Sequence, residues 1–322
     1  MTEALASSSA TSAKPARAGD YLALLKPRVM SLVVFTGLTG LACSNTPMHP
    51  VMAVIAVACI AVGAGASGAL NMAYDSDIDM LMRRTRGRPV PMGLISRADA
   101  AGFGVVLSLL SVMLMGLAVN WLAAGLLAFT IVFYAVVYTM WLKRSTPQNI
   151  VIGGLAGALP PVIGWAAATG TAPLNAWLLC AIIFLWTPPH FWALSLYTTS
   201  DYAMAGVPMM PVVRGAKSTR RQILVYSFLL VAAAVAPAFT GLGGVLYLAI
   251  ASLGGLVFIA LAAILALSKA GDVTEDQASG LYEVKTGVKS ARNLFAYSIG
   301  YLFALFAALL IEALAHLPAL TL

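Results

Sequence analysis

The stretch VMAVIAVACIAVGAGASGALNMAYDSDIDMLMRRTRGRP, residues 51–89, joins a long apolar run to a charged loop. Its first part, 51–74, contains no charged side chain. A helix of about 20 residues crosses the ~30 Å of hydrocarbon in a bilayer. Because backbone N–H and C=O groups must be paired in lipid, this run predicts a transmembrane helix. The acidic and basic residues that follow then mark a polar membrane surface.

The composition of the whole chain agrees with a membrane protein. Of 322 residues, 61% are hydrophobic and 10% are charged, whereas soluble domains carry about 25% charged residues. So few charges exclude a soluble globular protein, the apolar content excludes disorder, and three cysteines exclude a disulfide scaffold. The net charge of +7 is compatible with nucleic-acid binding or with a charge bias between loops, and the positions of the charges decide between them.

Nine apolar runs, each about 18–25 residues long, predict nine transmembrane helices. We therefore expect an all-α polytopic membrane protein, a bundle of two four-helix halves plus one further helix. A flexible cytoplasmic tail is predicted over 1–22 and a single transmembrane domain over 23–322. The predicted helices are 29–46, 51–74, 101–119, 121–142, 150–170, 173–197, 222–241, 245–268 and 293–318.

The basic residues alternate between loops. All 19 Lys and Arg residues fall before helix 1 or in the loops after helices 2, 4, 6 and 8. Loops that carry Lys and Arg are normally cytoplasmic, so the N-terminus is predicted to be cytoplasmic. Eleven of the twelve acidic residues follow the same division, and Glu312 is the exception. The charges thus mark one membrane face, and nucleic acid is not an expected partner.

The two large cytoplasmic loops correspond in position. Asp75 follows helix 2 and Asp201 follows helix 6, and a basic cluster comes after each. Asn71 precedes Asp75 by four residues, as Tyr197 precedes Asp201. This spacing predicts that Asp201 faces Asp75 across a shared cavity, although an isolated loop aspartate explains Asp201 equally well.

Asn71, Asp75 and Asp79 recur at four-residue spacing, which places them on one face of a helix that continues out of helix 2. Carboxylate and amide oxygens suit Mg²⁺, which keeps other positions for water and phosphate. Arginines follow at once, and guanidinium groups recognise phosphate. The motif therefore favours Mg²⁺-diphosphate binding over a solvated loop of paired charges. These arginines are Arg83, Arg84, Arg86 and Arg88.

His190 lies inside predicted helix 6, after Pro188 and Pro189. A histidine in a transmembrane segment usually faces a cavity or a partner. Its imidazole could bind a porphyrin iron or transfer a proton, and a structural hydrogen bond is the alternative. The prolines are expected to bend helix 6, as Pro160 and Pro161 are expected to break helix 5.

Four segments resemble the UbiA superfamily of intramembrane prenyltransferases, in particular its haem-modifying members. They are KPRVMSLVVFTGLTG at 26–40, NMAYDSDIDMLMRRTRGRPVPMGLIS at 71–96, PPVIGW at 160–165 and LWTPPHFWALSLYTTSDYAMAGVPMMPVVRG at 185–215. The resemblance implies a helical bundle in which Mg²⁺ on carboxylates holds an isoprenoid diphosphate. By residue, it implies a first metal site at Asn71, Asp75 and Asp79, a second at Asp201, diphosphate binding by Arg84 and Arg88 with help from Lys217, and haem binding near His190.

The same resemblance implies the reaction and its setting. A farnesyl group would pass from farnesyl diphosphate to a vinyl group of haem b, which is a substrate, and the product would be haem O. The protein would lie in the lipid bilayer of a bacterial inner membrane with its active face in the cytoplasm. A haem A synthase or haem-copper oxidase assembly proteins would be its partners.

Three other functions are considered. A prenyltransferase for quinone or chlorophyll precursors is disfavoured by the PPHFW and RTRGRP segments. A transporter would carry polar residues near the midplane, whereas here they concentrate at one face. A non-catalytic oxidase assembly factor would not need the complete Asp and Arg set.

Overall fold

The computed structural model describes residues 16–275, 282–284 and 288–320, and this part is almost entirely helical. The predicted tail falls mostly outside the described residues, but its last part, 18–22, is already helical. In chain order the helices are α1 (Ala18–Leu24), α2 (Pro27–Cys43), α3 (Pro50–Tyr74), α4 (Ser76–Leu81), α5 (Arg97–Ala118), α6 (Trp121–Ser145), α7 (Asn149–Thr169), α8 (Leu174–Tyr197), α9 (Thr199–Met204), α10 (Met210–Arg214), α11 (Ala216–Phe239), α12 (Val245–Leu267) and α13 (Val288–Leu314).

Within the described residues, eight helices are long and apolar enough to cross a membrane. The number becomes nine when α1 and α2, which meet at a bend of 54°, are counted as one span. The predicted all-α architecture is confirmed, with one small addition in the loop after α12. There β1 (Val273–Glu275) pairs antiparallel with β2 (Tyr282–Val284), and Val273 lies opposite Val284.

The two proline pairs have different consequences. α7 consists of Asn149–Ala158 and Pro160–Thr169 with Leu159 between them, so the predicted break in helix 5 is confirmed. α8 instead remains helical through Pro188 and Pro189. Proline is accepted best in the first turn of a helix, where its missing N–H costs nothing, and Pro160 occupies that position.

The long helices form a closed bundle, because α13 packs on α2 as well as on α8 and α12. α7 and α8 are the most buried of the long helices. α2 approaches α7 through glycines: a Cβ on Gly40 would lie 2.1 Å from the Pro161 carbonyl oxygen, and one on Gly164 would lie 2.0 Å from the Gly37 oxygen. Small residues permit this close backbone contact between membrane helices.

Side-chain contacts separate the two ends of the bundle. At one end, Lys26 before α2 contacts Asn71 of α3, and Arg144 of α6 contacts Asp77 of α4. At the other end, Glu312 of α13 accepts hydrogen bonds from the Gly244 and Tyr247 N–H groups before and within α12, at 2.7 and 2.9 Å. The motif residues therefore belong to the end where α3, α6 and the α1–α2 bend meet.

Candidate active site

Asn71 forms the inner part of the motif and joins three helical segments. Its Nδ2 donates to Asp75 Oδ2 at 2.7 Å and to Thr139 Oγ1 of α6 at 3.0 Å. Its Oδ1 accepts from Lys26 Nζ at 2.7 Å. Asn71 therefore links Lys26, just before α2, to Asp75 at the end of α3 and to Thr139 of α6. The preceding turns of α3 are also buried, and they contain small residues such as Gly65 and Gly68.

Asp75 lies directly after α3 and is completely buried. Its Oδ2 forms an ion pair with Lys143, and its Oδ1 lies 3.5 Å from Arg144 Nη2. Oδ1 has no hydrogen-bond partner in the described chain. A buried carboxylate is expensive unless it is paired and hydrogen-bonded. Asp75 therefore carries one lone-pair site that a bound cation would satisfy.

Asp79 is the second carboxylate of the motif, on α4, and is 1% exposed. Arg88 Nη1 lies 2.5 Å from its Oδ2. The Thr85 hydroxyl donates to the Asp79 carbonyl at 2.9 Å. These contacts fold the arginine-rich segment back over the motif. The sequence predicts that the helix observed as α3 continues through the motif. It is interrupted at Asp75 and resumes as α4, where the Asp79 N–H donates to the Asp75 carbonyl.

Asp77 points away from this cluster, as its helical position predicts. Arg144 donates to both of its carboxylate oxygens at 2.8 Å. This pairing lowers the pKa of the half-exposed Asp77 to about 2. The Arg144 guanidinium also lies 4.8 Å from the centre of the Tyr74 ring. Arg144 therefore fastens the end of α6 to the junction of α3 and α4.

The other predicted ligands make no hydrogen bond or ion pair with this cluster in the described part of the chain. Arg84 and Lys217 are exposed. Asp201 is buried on α9, which meets α4 through an apolar cluster that includes Ile78 and Tyr202. Across residues 16–275, 282–284 and 288–320, however, no three His, Cys, Asp or Glu side chains form a group that could hold a metal ion. The two short helices are thus neighbours, but in the described residues Asp201 does not complete a three-ligand group with the motif carboxylates.

His190 lies in an aromatic site between α8 and α13. Its ring stacks between Trp186, at 4.1 Å between ring centres, and Phe295, at 4.6 Å. Its Nδ1 lies 2.7 Å from Ser298 Oγ. The Trp186 Nε1–H donates to the Ser298 carbonyl, also at 2.7 Å. These contacts fix the plane of the imidazole.

Sequence reasoning missed four residues of the cluster. It treated Lys26, Lys143 and Arg144 only as loop charges that set topology, and it did not consider Thr139 at all. Lys143 and Thr139 are 68 residues from their partners Asp75 and Asn71. The available signal was the position of the basic residues directly at helix ends, where charged side chains border the membrane.

The arrangement combines buried carboxylates with a surrounding set of cationic side chains. Its donor set consists of hard oxygens, and one buried carboxylate oxygen, Asp75 Oδ1, accepts no hydrogen bond from the described residues. These features fit Mg²⁺. The cationic side chains fit the oxygens of a diphosphate. The site is therefore suited to holding a diphosphate at the end of an apolar helix bundle.

The family follows from comparison with known proteins. The model of the UbiA prenyltransferase family matches residues 33–282, and the chain belongs to this family. Protoheme IX farnesyltransferase of Caulobacter sp. (strain K31) is 68% identical over 95% of this chain and 92% of its own length. The protein of the same name from Caulobacter vibrioides is 69% identical over 94% of this chain and 93% of its own length.

Solved structures share the fold. One described for digeranylgeranylglyceryl phosphate synthase superposes with a TM-score of 0.72 at 17% identity, over 92% of this chain and 98% of its own. A UbiA homologue from Archaeoglobus fulgidus, bound to GPP and Mg²⁺, gives a TM-score of 0.59 at 17% identity, over 90% of this chain and 99% of its own. The protein is accordingly an integral membrane protein with the UbiA fold.

Proposed function

We propose that this protein transfers the farnesyl group of farnesyl diphosphate to a vinyl group of haem b, which yields haem O. The observation that carries the proposal is the near-complete match, at 68–69% identity, to proteins named protoheme IX farnesyltransferase. The buried acid–base cluster around Asp75 supplies the chemistry that departure of a diphosphate requires.

The metal proposed for the site is Mg²⁺, held by Asp75 and Asp79 with Asn71 beside them. When bound, it would neutralise charge on the diphosphate oxygens. Support comes from Asp75 Oδ1, which is buried and accepts no hydrogen bond from the part of the chain that the structure describes, and from the Archaeoglobus homologue that binds Mg²⁺. Asp201 remains our candidate for a second site, on the neighbouring helix α9.

The basic residues would act on the leaving group. As the allylic C–O bond breaks, its electron pair passes to the diphosphate oxygen, and nearby guanidinium and ammonium groups stabilise that charge. We assign this role to Arg84, Arg88 and Lys217. Of these, Arg88 lies against Asp79 at 2.5 Å, whereas Arg84 and Lys217 are exposed.

The remaining steps take place on the organic substrates. The vinyl π electrons form the new C–C bond to the farnesyl cation, and water adds to the resulting haem-side cation with loss of one proton. The product carries a hydroxyl group and the farnesyl chain. The aromatic site around His190 is our candidate haem-binding region. The apolar bundle would shield the farnesyl cation from water until the vinyl group reaches it.

The active face is proposed to be cytoplasmic, in a bacterial inner membrane. This rests on the concentration of Lys and Arg in the loops at the end that carries the motif. We keep haem A synthase and haem-copper oxidase assembly proteins as proposed partners, because they would receive the product.

The test is a transfer assay with the purified protein in lipid nanodiscs. Haem b, farnesyl diphosphate and Mg²⁺ are supplied, and mass spectrometry reads the haem fraction. We expect haem that has gained a farnesyl group and a hydroxyl group. Parallel reactions contain an aromatic acid in place of haem. Prenylation of the aromatic acid with haem unchanged would contradict the proposal.

A further inference from the structure

The hydrogen bonds around Ser298 determine which nitrogen of His190 carries the proton. Ser298 Oγ lies 2.6 Å from the Phe295 carbonyl oxygen and 2.7 Å from His190 Nδ1. A serine hydroxyl has one proton to donate, and a carbonyl oxygen can only accept. Two oxygens at 2.6 Å repel each other unless a proton lies between them, so the Ser298 hydroxyl donates to Phe295.

His190 must then be the donor in its contact with Ser298. With the Ser298 proton directed to Phe295, the hydroxyl oxygen offers only lone pairs to the imidazole. Nδ1 therefore carries a proton. In the neutral ring, the other nitrogen, Nε2, carries a free lone pair.

Nε2 is also available to a ligand. It makes no hydrogen bond in the described part of the chain. Although it has no partner there, Nε2 is not fully enclosed. His190 as a whole keeps 7% of its surface exposed. Trp186 and Phe295 cover the two faces of the ring, and the Phe191 ring lies perpendicular to it with 5.2 Å between ring centres. A ligand can therefore reach Nε2 only along the exposed edge of the imidazole.

We infer that Ser298 is a positioning residue: its hydroxyl fixes His190 with the proton on Nδ1, so that Nε2 donates its lone pair to the iron of the haem substrate. Histidines that bind metals typically donate their other ring N–H to an oxygen acceptor, which orients the ring and raises its basicity. The stacked rings of Trp186 and Phe295 would hold the imidazole in the plane that this bond requires. The iron would then anchor the haem while its vinyl group reacts.

The inference rests on the proposed function, so haem binding and farnesyl transfer are measured on the same samples. The full-length protein in nanodiscs is titrated with ferrous haem b alone and followed by absorption and resonance Raman spectroscopy. Farnesyl diphosphate and Mg²⁺ are then added, and the product is read by mass spectrometry.

We expect an iron–histidine stretching band in the wild type and its loss in His190→Ala. Ser298→Ala should weaken haem binding about 10- to 100-fold and lower the frequency of this band, because Nδ1–H loses its acceptor. Ser298→Thr keeps the hydroxyl and should restore both readouts. Ser227→Ala is the matched control, since Ser227 is an equally buried serine that bonds only to its own helix, at 2.7 Å.

Several outcomes would overturn the inference. They are a wild type without the histidine band, a Ser298→Ala protein with unchanged band and affinity, and His190 variants that lose turnover with unchanged spectra. The last result would assign Nε2 to proton transfer. Should His190→Ala not fold, the wild-type band and the Ser298 series still decide. If the iron–histidine band is present and responds to the Ser298 variants, but no farnesylated haem forms, only the proposed function is contradicted.

Discussion

Asp75 is the residue on which the proposed chemistry most depends, because it is a completely buried carboxylate beside two cationic side chains. Asp75→Asn keeps the shape of the side chain but removes its charge. We expect turnover to fall about 100-fold or more, the range found when one charge-stabilising group is removed from an active site. The measurement is the initial rate of farnesylated haem formation.

Asp77 provides the matched control for this prediction. It is only two residues away, but its carboxylate is half exposed and bonds to Arg144 rather than to Asn71 or Lys143. Asp77→Asn should change turnover by no more than a few fold, because surface ion pairs contribute little. Equal losses in the two variants would show that the charge of Asp75 has no special role.

Thr139 tests a contact that sequence reasoning did not find. The Thr139 hydroxyl accepts from Asn71 Nδ2 at 3.0 Å and is fully buried. Thr139→Val preserves volume but removes the acceptor, which typically costs about 0.5–1.5 kcal/mol for one hydrogen bond. We expect a two- to tenfold loss of kcat, since Asn71 would be less firmly oriented. Thr139→Ser should recover most of it, and a serine variant as impaired as the valine variant would contradict this explanation.

Some residues of the candidate site could be predicted from the sequence and others could not, for a physical reason. Asn71, Asp75 and Asp79 are neighbours on a single helical path, so their spacing alone placed them together. Lys143 and Thr139 reach them from α6, a separation of 68 residues. Such contacts depend on how two helices pack, which local spacing does not specify.

At the scale of helices, apolar run length predicted the long elements well because hydrocarbon thickness fixes it. The details that differ concern the ends of the helices. The 54° bend between α1 and α2 occurs at Lys26, which adopts a left-handed backbone with φ of 51°. This conformation is uncommon for a residue with a side chain, and composition gives no sign of it. Here Lys26 also bonds to Asn71, so the bend belongs to the candidate site.

The contact between α2 and α7 can be tested through Gly164. A methyl group there would lie 2.0 Å from the Gly37 carbonyl oxygen, which belongs to a helix backbone and cannot turn aside. Gly164→Ala should destabilise the protein by about 1–3 kcal/mol, the usual cost of overpacking. The measurement is the unfolding midpoint in detergent.

Gly157, also on α7, gives the matched comparison. A methyl group at this position would have no atom within 4 Å of it, and alanine is the better helix former by about 1 kcal/mol. Gly157→Ala should therefore leave the midpoint unchanged or raise it. Similar losses in both variants would contradict the explanation that the close contact with Gly37 limits Gly164 to glycine.

For the whole molecule, the distribution of charge links topology to the proposed chemistry. The basic residues that set orientation by the positive-inside rule include Lys26, Arg88, Lys143 and Arg144, which contact the motif. The same few charges therefore serve both purposes. A chain inserted the other way would place its diphosphate site on the opposite side of the membrane from the one we propose.

Orientation can be measured with single cysteines, because Cys43, Cys59 and Cys180 are all buried. Arg86→Cys lies in the motif loop and Thr171→Cys in the connection between α7 and α8, and both positions are exposed. A membrane-impermeant maleimide should label position 86 only in inverted vesicles and position 171 only in intact spheroplasts. The unsubstituted protein should stay unlabelled in both. Labelling of both positions from the same side would contradict an odd number of spans between them. Labelling of position 86 only in spheroplasts and of position 171 only in inverted vesicles would place the candidate site away from the cytoplasm.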